Sequence, residues 1–176
     1  MKIQKATPAD TDGVLCLIQD RIRWMDEQGL AQWNKFDYLE VFPPAYFLES
    51  IEDGDVYVAV EDGKIIGAVV LPETDAFWSD DTPALYIHHL VGARDARGVG
   101  RVLLDFAECL ARSRNIHVLR LDCQSTNSGL NAYYARLGFE PKGFCTDGPY
   151  TGIKRESKAR SCSLRVCSLK KYGTPI

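Results

Sequence analysis

The sequence predicts a single α/β domain, and three observations carry that expectation. The 176 residues are enough for one sizeable core and leave no room for a second full domain. Apolar runs suited to strands alternate with apolar stripes at helical spacing, in the order β-α-α-β-β-β-α-β-α-β. No heptad register or low-complexity block runs through the chain, which sets coiled coil and disorder aside.

The elements follow one another with recognisable punctuation. Residues 3–5 read as a short strand, and Thr7-Pro8-Ala9-Asp10 supplies a capping hydroxyl and a first-turn proline. Val14, Ile18, Ile22 and Met25 make the apolar stripe of a helix that Gly29 ends, before an aromatic loop at Gln32-Trp33-Asn34-Lys35. A second helix starts at Pro43-Pro44 and reaches about Ile51. Residues 56–60 and 65–71 are strands joined by the hairpin turn Glu61-Asp62-Gly63-Lys64.

A further strand over residues 84–91 leads through Gly98 and Gly100 into a helix carrying Val99, Val102, Leu103, Phe106, Ala107 and Leu110. Residues 117–123 form a buried strand, residues 130–137 a short helix, and Gly138-Phe139 its exit into another strand. Past Gly152 the pattern weakens. Residues 154–160 read as a solvated basic loop, and Cys162, Leu164 and Val166 alternate with polar residues in a way that permits a last strand. The domain is therefore expected over residues 1–154, with residues 155–176 an extension able to supply that last strand.

Composition excludes several classes of function. A net charge of −3 with both signs interleaved offers no broad cationic face to a nucleic acid. The first six residues lack a signal-like apolar stretch and no later run could span a bilayer, so a soluble cytoplasmic protein is expected. The six cysteines show no metal-binding spacing, which favours reduced thiols and no metal.

Chemistry concentrates in two segments. In Arg94-Asp95-Ala96-Arg97-Gly98-Val99-Gly100-Arg101, small residues and the free amides of a helix start would suit a phosphate or pyrophosphate, with Arg97 and Arg101 adding charge; a plain tight turn is the alternative. It lacks the ending of a P-loop and is not a full dinucleotide fingerprint. The second segment is Asn127-Ser128-Gly129-Leu130-Asn131-Ala132-Tyr133-Tyr134-Ala135-Arg136-Leu137-Gly138-Phe139.

Together the two segments resemble the GNAT N-acetyltransferase superfamily, over residues 3–145 and most strongly over residues 88–139. The resemblance implies a mixed, mostly antiparallel central sheet of six or seven strands with about four helices, splayed in its middle to admit coenzyme A. It implies acetyl-CoA as cosubstrate, with the pyrophosphate at Arg97, Gly98, Val99, Gly100 and Arg101, and the pantetheine beside Asn127, Asn131 and a strand bulge at about Leu90 and Val91. Asp95 departs from the Gln or Arg that opens the family's glycine signature, so either Asp95 points to solvent or Arg94 and Arg97 supply the lost positive character.

By the same resemblance, Tyr134 would act as acid or thiolate stabiliser for the departing coenzyme A. Many relatives carry a carboxylate base on the strand before the glycine turn, but here that stretch is Tyr86-Ile87-His88-His89-Leu90. Strand alternation should let only one histidine face the acceptor, and His88 is favoured as base. Trp24, Trp33, Tyr46 and Trp78, with Asp75, Asp80 and Asp81, would form a pocket for a cationic amine. Cys123 reads as a buried thiol. The expected activity is transfer of acetyl to a primary amine of a small molecule or peptide by direct attack in a ternary complex. The rival is a non-catalytic acyl-CoA sensor or scaffold of the same fold, and a homodimer is compatible with either.

Overall fold

The computed structural model describes residues 1–35 and 37–159. In chain order its elements are β1 (Lys2–Lys5), α1 (Thr11–Glu27), α2 (Tyr38–Val41), α3 (Pro44–Glu52), β2 (Val56–Glu61), β3 (Lys64–Val70), β4 (Leu85–Tyr86), β5 (His88–Gly92), α4 (Val99–Ser113), β6 (Val118–Gln124), α5 (Ser128–Arg136), β7 (Glu140–Asp147) and β8 (Tyr150–Lys158). The strands make two four-stranded sheets, β1-β2-β3-β5 and β4-β6-β8-β7, instead of one central sheet of six or seven. The pairing is antiparallel except between β4 and β6. The fifth helix, beyond the four expected, is the single turn α2 that follows the aromatic loop.

The first sheet is covered on both faces, which is why β2 reads as a continuous apolar run. Val56 and Val58 pack with Val14, Ile18 and Phe47 of α1 and α3, whereas Tyr57 and Ala59 join Leu103, Ala107 and Leu110 of α4. Where α4 begins, it sits directly on the sheet. A Cβ on Gly92 would lie 2.3 Å from Val99 Cγ1, and one on Gly67 would lie 2.7 Å from Val99 Cγ2.

The strand expected over residues 84–91 is split. Leu85 and Tyr86 pair with β6, the Ile87 amide still donates to the Arg120 carbonyl at 2.8 Å, and from His88 onward the chain pairs with β3 instead. Val70 faces His88 and Ala68 faces Val91, so three steps on β5 match two on β3. This bulge, with His89 at φ 51°, falls beside the expected Leu90 and Val91. His89 is held by Tyr38 at Nδ1 and by the Tyr46 hydroxyl 3.0 Å from Nε2, among the rings of Phe42 and Phe47.

Two expectations are corrected. Residues 154–158 belong to β8, between β6 and β7, and not to a solvated loop. The strand was hidden because Arg155 and Ser157 fill inward positions that are usually apolar; Arg155 is only 6% exposed and donates to the Phe139 carbonyl and to Asn131 Oδ1. Cys16, Cys123 and Cys145 are free thiols, but Cys109 is disulfide-bonded, a pairing that spacing along the chain cannot reveal. The strand expected around Cys162, Leu164 and Val166 lies outside the described residues. No helix among the described residues is long and apolar enough to cross a membrane.

Gly92→Ala should lower the unfolding free energy by about 1–3 kcal/mol, because the buried, branched Val99 cannot swing away; thermal or urea unfolding measures it. Burial, with His88 beside it, pulls the His89 imidazole from 6.5 down to about 3. The folded protein thus keeps His89 neutral while the unfolded chain protonates it. Stability from this site is complete above about 6.5 and drains away as the pH falls toward 3. His89→Asn tolerates the left-handed backbone and should flatten the loss by up to about 1.4 kcal/mol per pH unit. Equal pH slopes for the two proteins would show that the imidazole is not held neutral.

Candidate active site

Past the Ile87–Arg120 contact, β5 and β6 part company. Between them opens a cavity of about 970 Å³, with Ile87, His88, Leu90 and Val91 on one wall and Asp122 and Cys123 on the other. Because β5 pairs on one edge with β3, its other edge is left facing the opening.

At one end of the cavity lies the glycine turn. Gly98 has φ 83°, a left-handed conformation that glycine adopts without penalty, and it caps α4. The Gly98 and Gly100 amides make no backbone hydrogen bond among the described residues, and both glycines face open space. These are the free donors that an anion at a helix start requires.

The side chains contribute less than expected. Arg101 is paired with Asp105 at 2.7 Å, Arg97 is exposed, and neither lines the cavity; Arg94 lines it while pairing with Glu27 at 2.7 Å. Asp95 is exposed to solvent. A cation that motif reading missed is Arg21 of α1, which donates to the Gly92 carbonyl at 2.6 Å and lies over Trp24 at 4.8 Å. Burial, then Arg94, lowers its pKa. Its signal was a basic residue beside the apolar stripe of α1.

Tyr134 lines the middle of the cavity and is 7% exposed. Burial, reinforced by Cys123, raises its phenol pKa well above the ordinary value, so the hydroxyl stays protonated. Asn127 lines the cavity as the cap of α5, accepting from the Leu130 amide at 3.0 Å and donating to Gln32 at 3.1 Å. Asn131 does not line it. Its amide donates to the Gln124 and Asn127 carbonyls and its oxygen accepts from Arg155, which ties α5 to β6 and β8. Cys123 is a buried thiol whose pKa is raised by burial, which makes it a poor nucleophile.

At the far end both histidines line the cavity, contrary to simple strand alternation, because the bulge rotates the chain between them. His88 Nε2 lies 3.0 Å from Asp75 Oδ2. A carboxylate oxygen of Asp122, a ring nitrogen of His88 and an oxygen of Asp75 lie within 4.8 Å of one another. Tyr150 donates to Asp122 Oδ2. Burial raises the Asp122 pKa, against the opposing pull of Tyr150 and His88. Asp122 went unnoticed in sequence, although a carboxylate flanked by Leu121 and Cys123 in a buried strand was its visible signal.

The aromatic residues divide. Trp24 and Trp33 line the cavity. Tyr46 stands behind His89 instead. Trp78 lies under the Arg120 guanidinium at 4.1 Å, where Asp80 also pairs with Arg120 at 2.9 Å. These contacts, with Lys154 donating to the Phe77 carbonyl at 2.9 Å, fasten the loop between β3 and β4 to the second sheet.

Known proteins resemble this chain in sequence and in fold. The model of the family described as "Acetyltransferase (GNAT) family" matches residues 20–139. The chain is 28% identical over 148 residues to the "Uncharacterized N-acetyltransferase YesJ" of Bacillus subtilis, across 79% of this chain and 81% of that one. A GNAT-family acetyltransferase crystal structure from Listeria monocytogenes superposes with a TM-score of 0.73 at 28% identity, covering 89% of this chain and 93% of that one. The PaiA N-acetyltransferase of Thermoplasma acidophilum, solved in complex with coenzyme A, shares the fold at a TM-score of 0.70 and 20% identity, over 89% of this chain and 98% of that one. The family match takes in the opened strand, the glycine turn and the α5 segment, and the chain belongs to the GNAT acetyltransferase family.

Proposed function

We propose that the protein transfers acetyl from acetyl-CoA to a primary amine of a small molecule or peptide, by direct attack within a ternary complex. One observation carries the reading: a single cavity joins the glycine turn to both Tyr134 and His88. The cavity is also polarised. Arg21 and Arg94 stand near the turn, whereas Asp122 and Asp147 line it with His88 and Tyr150. An anionic coenzyme and a cationic amine would each meet opposite charge.

In this reading the pyrophosphate takes the Gly98 and Gly100 amides, and the pantetheine runs along the unpaired edge of β5 past Leu90 and Val91 as an added strand would. A thioester laid there has its sulfur toward Tyr134. Because the phenol stays protonated and its pKa lies above a thiol's, Tyr134 serves mainly as a hydrogen-bond donor to the developing thiolate. Asp122 and Asp147 would steer a charged acceptor toward His88, which takes the proton that must leave before nitrogen can attack.

Thiol release from acetyl-CoA, followed over a panel of amines and peptides, tests the activity. Tyr134→Phe should lower kcat by about 100-fold while leaving acetyl-CoA affinity nearly unchanged. Undiminished turnover would remove Tyr134 from the chemistry. Gly98→Val forces a branched residue into a left-handed turn and should weaken acetyl-CoA binding by about tenfold or more in calorimetry. Unchanged affinity in the folded variant would rule out the turn as the pyrophosphate site. Tight acetyl-CoA binding with no thiol release for any amine would instead favour a binding module.

A further inference from the structure

We infer that Asp75 is a positioning residue for His88: it fixes the imidazole with its proton on Nε2 and leaves Nδ1 as the atom that accepts the amine proton. The inference rests on the acyl-transfer reading above and adds a residue to it. Asp75 lies on the loop between β3 and β4, thirteen residues before His88 in sequence.

Both oxygens of the Asp75 carboxylate are in use. Oδ1 accepts from the Phe77 amide at 2.6 Å, and Oδ2 lies 3.0 Å from His88 Nε2. The side chain is 6% exposed, against 25% for His88. Burial alone would push the carboxyl up, yet the His88 and Phe77 hydrogen bonds outweigh it and hold its pKa below the ordinary value. The group is therefore an ionised acceptor near neutral pH. An acceptor-only partner obliges Nε2 to be the donor, and a neutral imidazole then carries its lone pair on Nδ1.

Nδ1 is not sealed off. Among the described residues the one sealed polar side-chain atom without a hydrogen bond is Gln124 Oε1, and His88 itself lines the cavity. The loop that carries Asp75 is held rigid by Trp78 and Asp80 on Arg120 and by the Lys154 bond to the Phe77 carbonyl.

The charged and titratable groups around His88 come from four directions. Asp75 faces it from the loop, Asp122 from β6, the neutral His89 from its own strand, and Tyr150 and Lys154 of β8 stand behind the two carboxylates.

The step balances as follows in bonds and protons. One N–H bond of the ammonium breaks and its proton passes to Nδ1. The electron pair left on nitrogen forms the N–C bond to the thioester carbonyl carbon, and collapse of the adduct breaks the C–S bond. A second nitrogen proton ends on sulfur, with Tyr134 supporting the charge there, and the His88 proton goes to solvent.

Nitrogen NMR of the histidine rings in the full chain, with kinetics of Asp75→Asn and Asp75→Ala, tests this. The unaltered protein should show His88 protonated on Nε2. In Asp75→Asn the Phe77 amide retains the side-chain oxygen, so the NH₂ faces Nε2 and should flip the tautomer. Its kcat/KM for the amine should fall about 100-fold, with the acetyl-CoA Kd within about twofold. Asp75→Ala removes the constraint without imposing the wrong tautomer and should be hurt less, by about tenfold.

A merely structural aspartate predicts the reverse ranking, with the near-isosteric asparagine milder than alanine, and that result would overturn the inference. So would an Nδ1–H tautomer in the unaltered protein, which decides the matter even if Asp75→Asn fails to fold. The expected tautomers in a protein that acetylates no amine would uphold the positioning of the ring and defeat the acyl-transfer reading instead.

Discussion

At Ile87 one extended segment gives up its partner on one side and takes another on the opposite side. Its amide is the last to reach Arg120 of β6, and four residues later, at Val91, the bulge has settled β5 against β3. Backbone groups cannot be abandoned in an interior without cost, and here the unpaired strand edge lines a cavity where its amides and carbonyls can pair with water or with a ligand. The cavity, the place of Leu90 and Val91 along it, and the presence of two adjacent histidines on one wall all descend from that exchange of partners.

The surroundings are built to keep the exchange in place. His89 occupies the left-handed position of the bulge and is clamped by Tyr38 and Tyr46. Gly92 and Gly67 let α4 settle onto the first sheet, which aims its free amides into the same opening. On the other wall, Arg155 and Asn131 bind α5 to the second sheet and thereby hold Tyr134 over the gap. The polar groups that look least like a core are the ones that set the site's dimensions.

What could be read in the sequence was local. Gly98, Gly100, Asn127 and Tyr134 sit in short stretches recognisable from their own neighbours and line the cavity, and the strands and helices that carry them formed where periodicity placed them. Readings that required knowledge of contacts across the chain fared differently. Trp78 seemed an acceptor residue and is a loop fastening; Asn131 seemed a ligand contact and is a tie between α5 and two strands. Arg155 concealed a central strand because its partners, Phe139 and Asn131, lie far from it in sequence. Asp75 and Asp122 reach His88 from a loop and from a strand of the other sheet, a convergence that no spacing encodes.

The loop bearing Asp75 is fastened to the second sheet through Arg120 and Lys154, whereas His88 belongs to the first. The bond between them therefore links the two sheets and works as a caliper. If the sheets are wedged too far apart by a bulky guest, the carboxylate lets go of the ring and no longer fixes which ring nitrogen carries its proton. Poor fit would then be punished in the chemical step as well as in binding, a form of proofreading that costs the protein no additional residue.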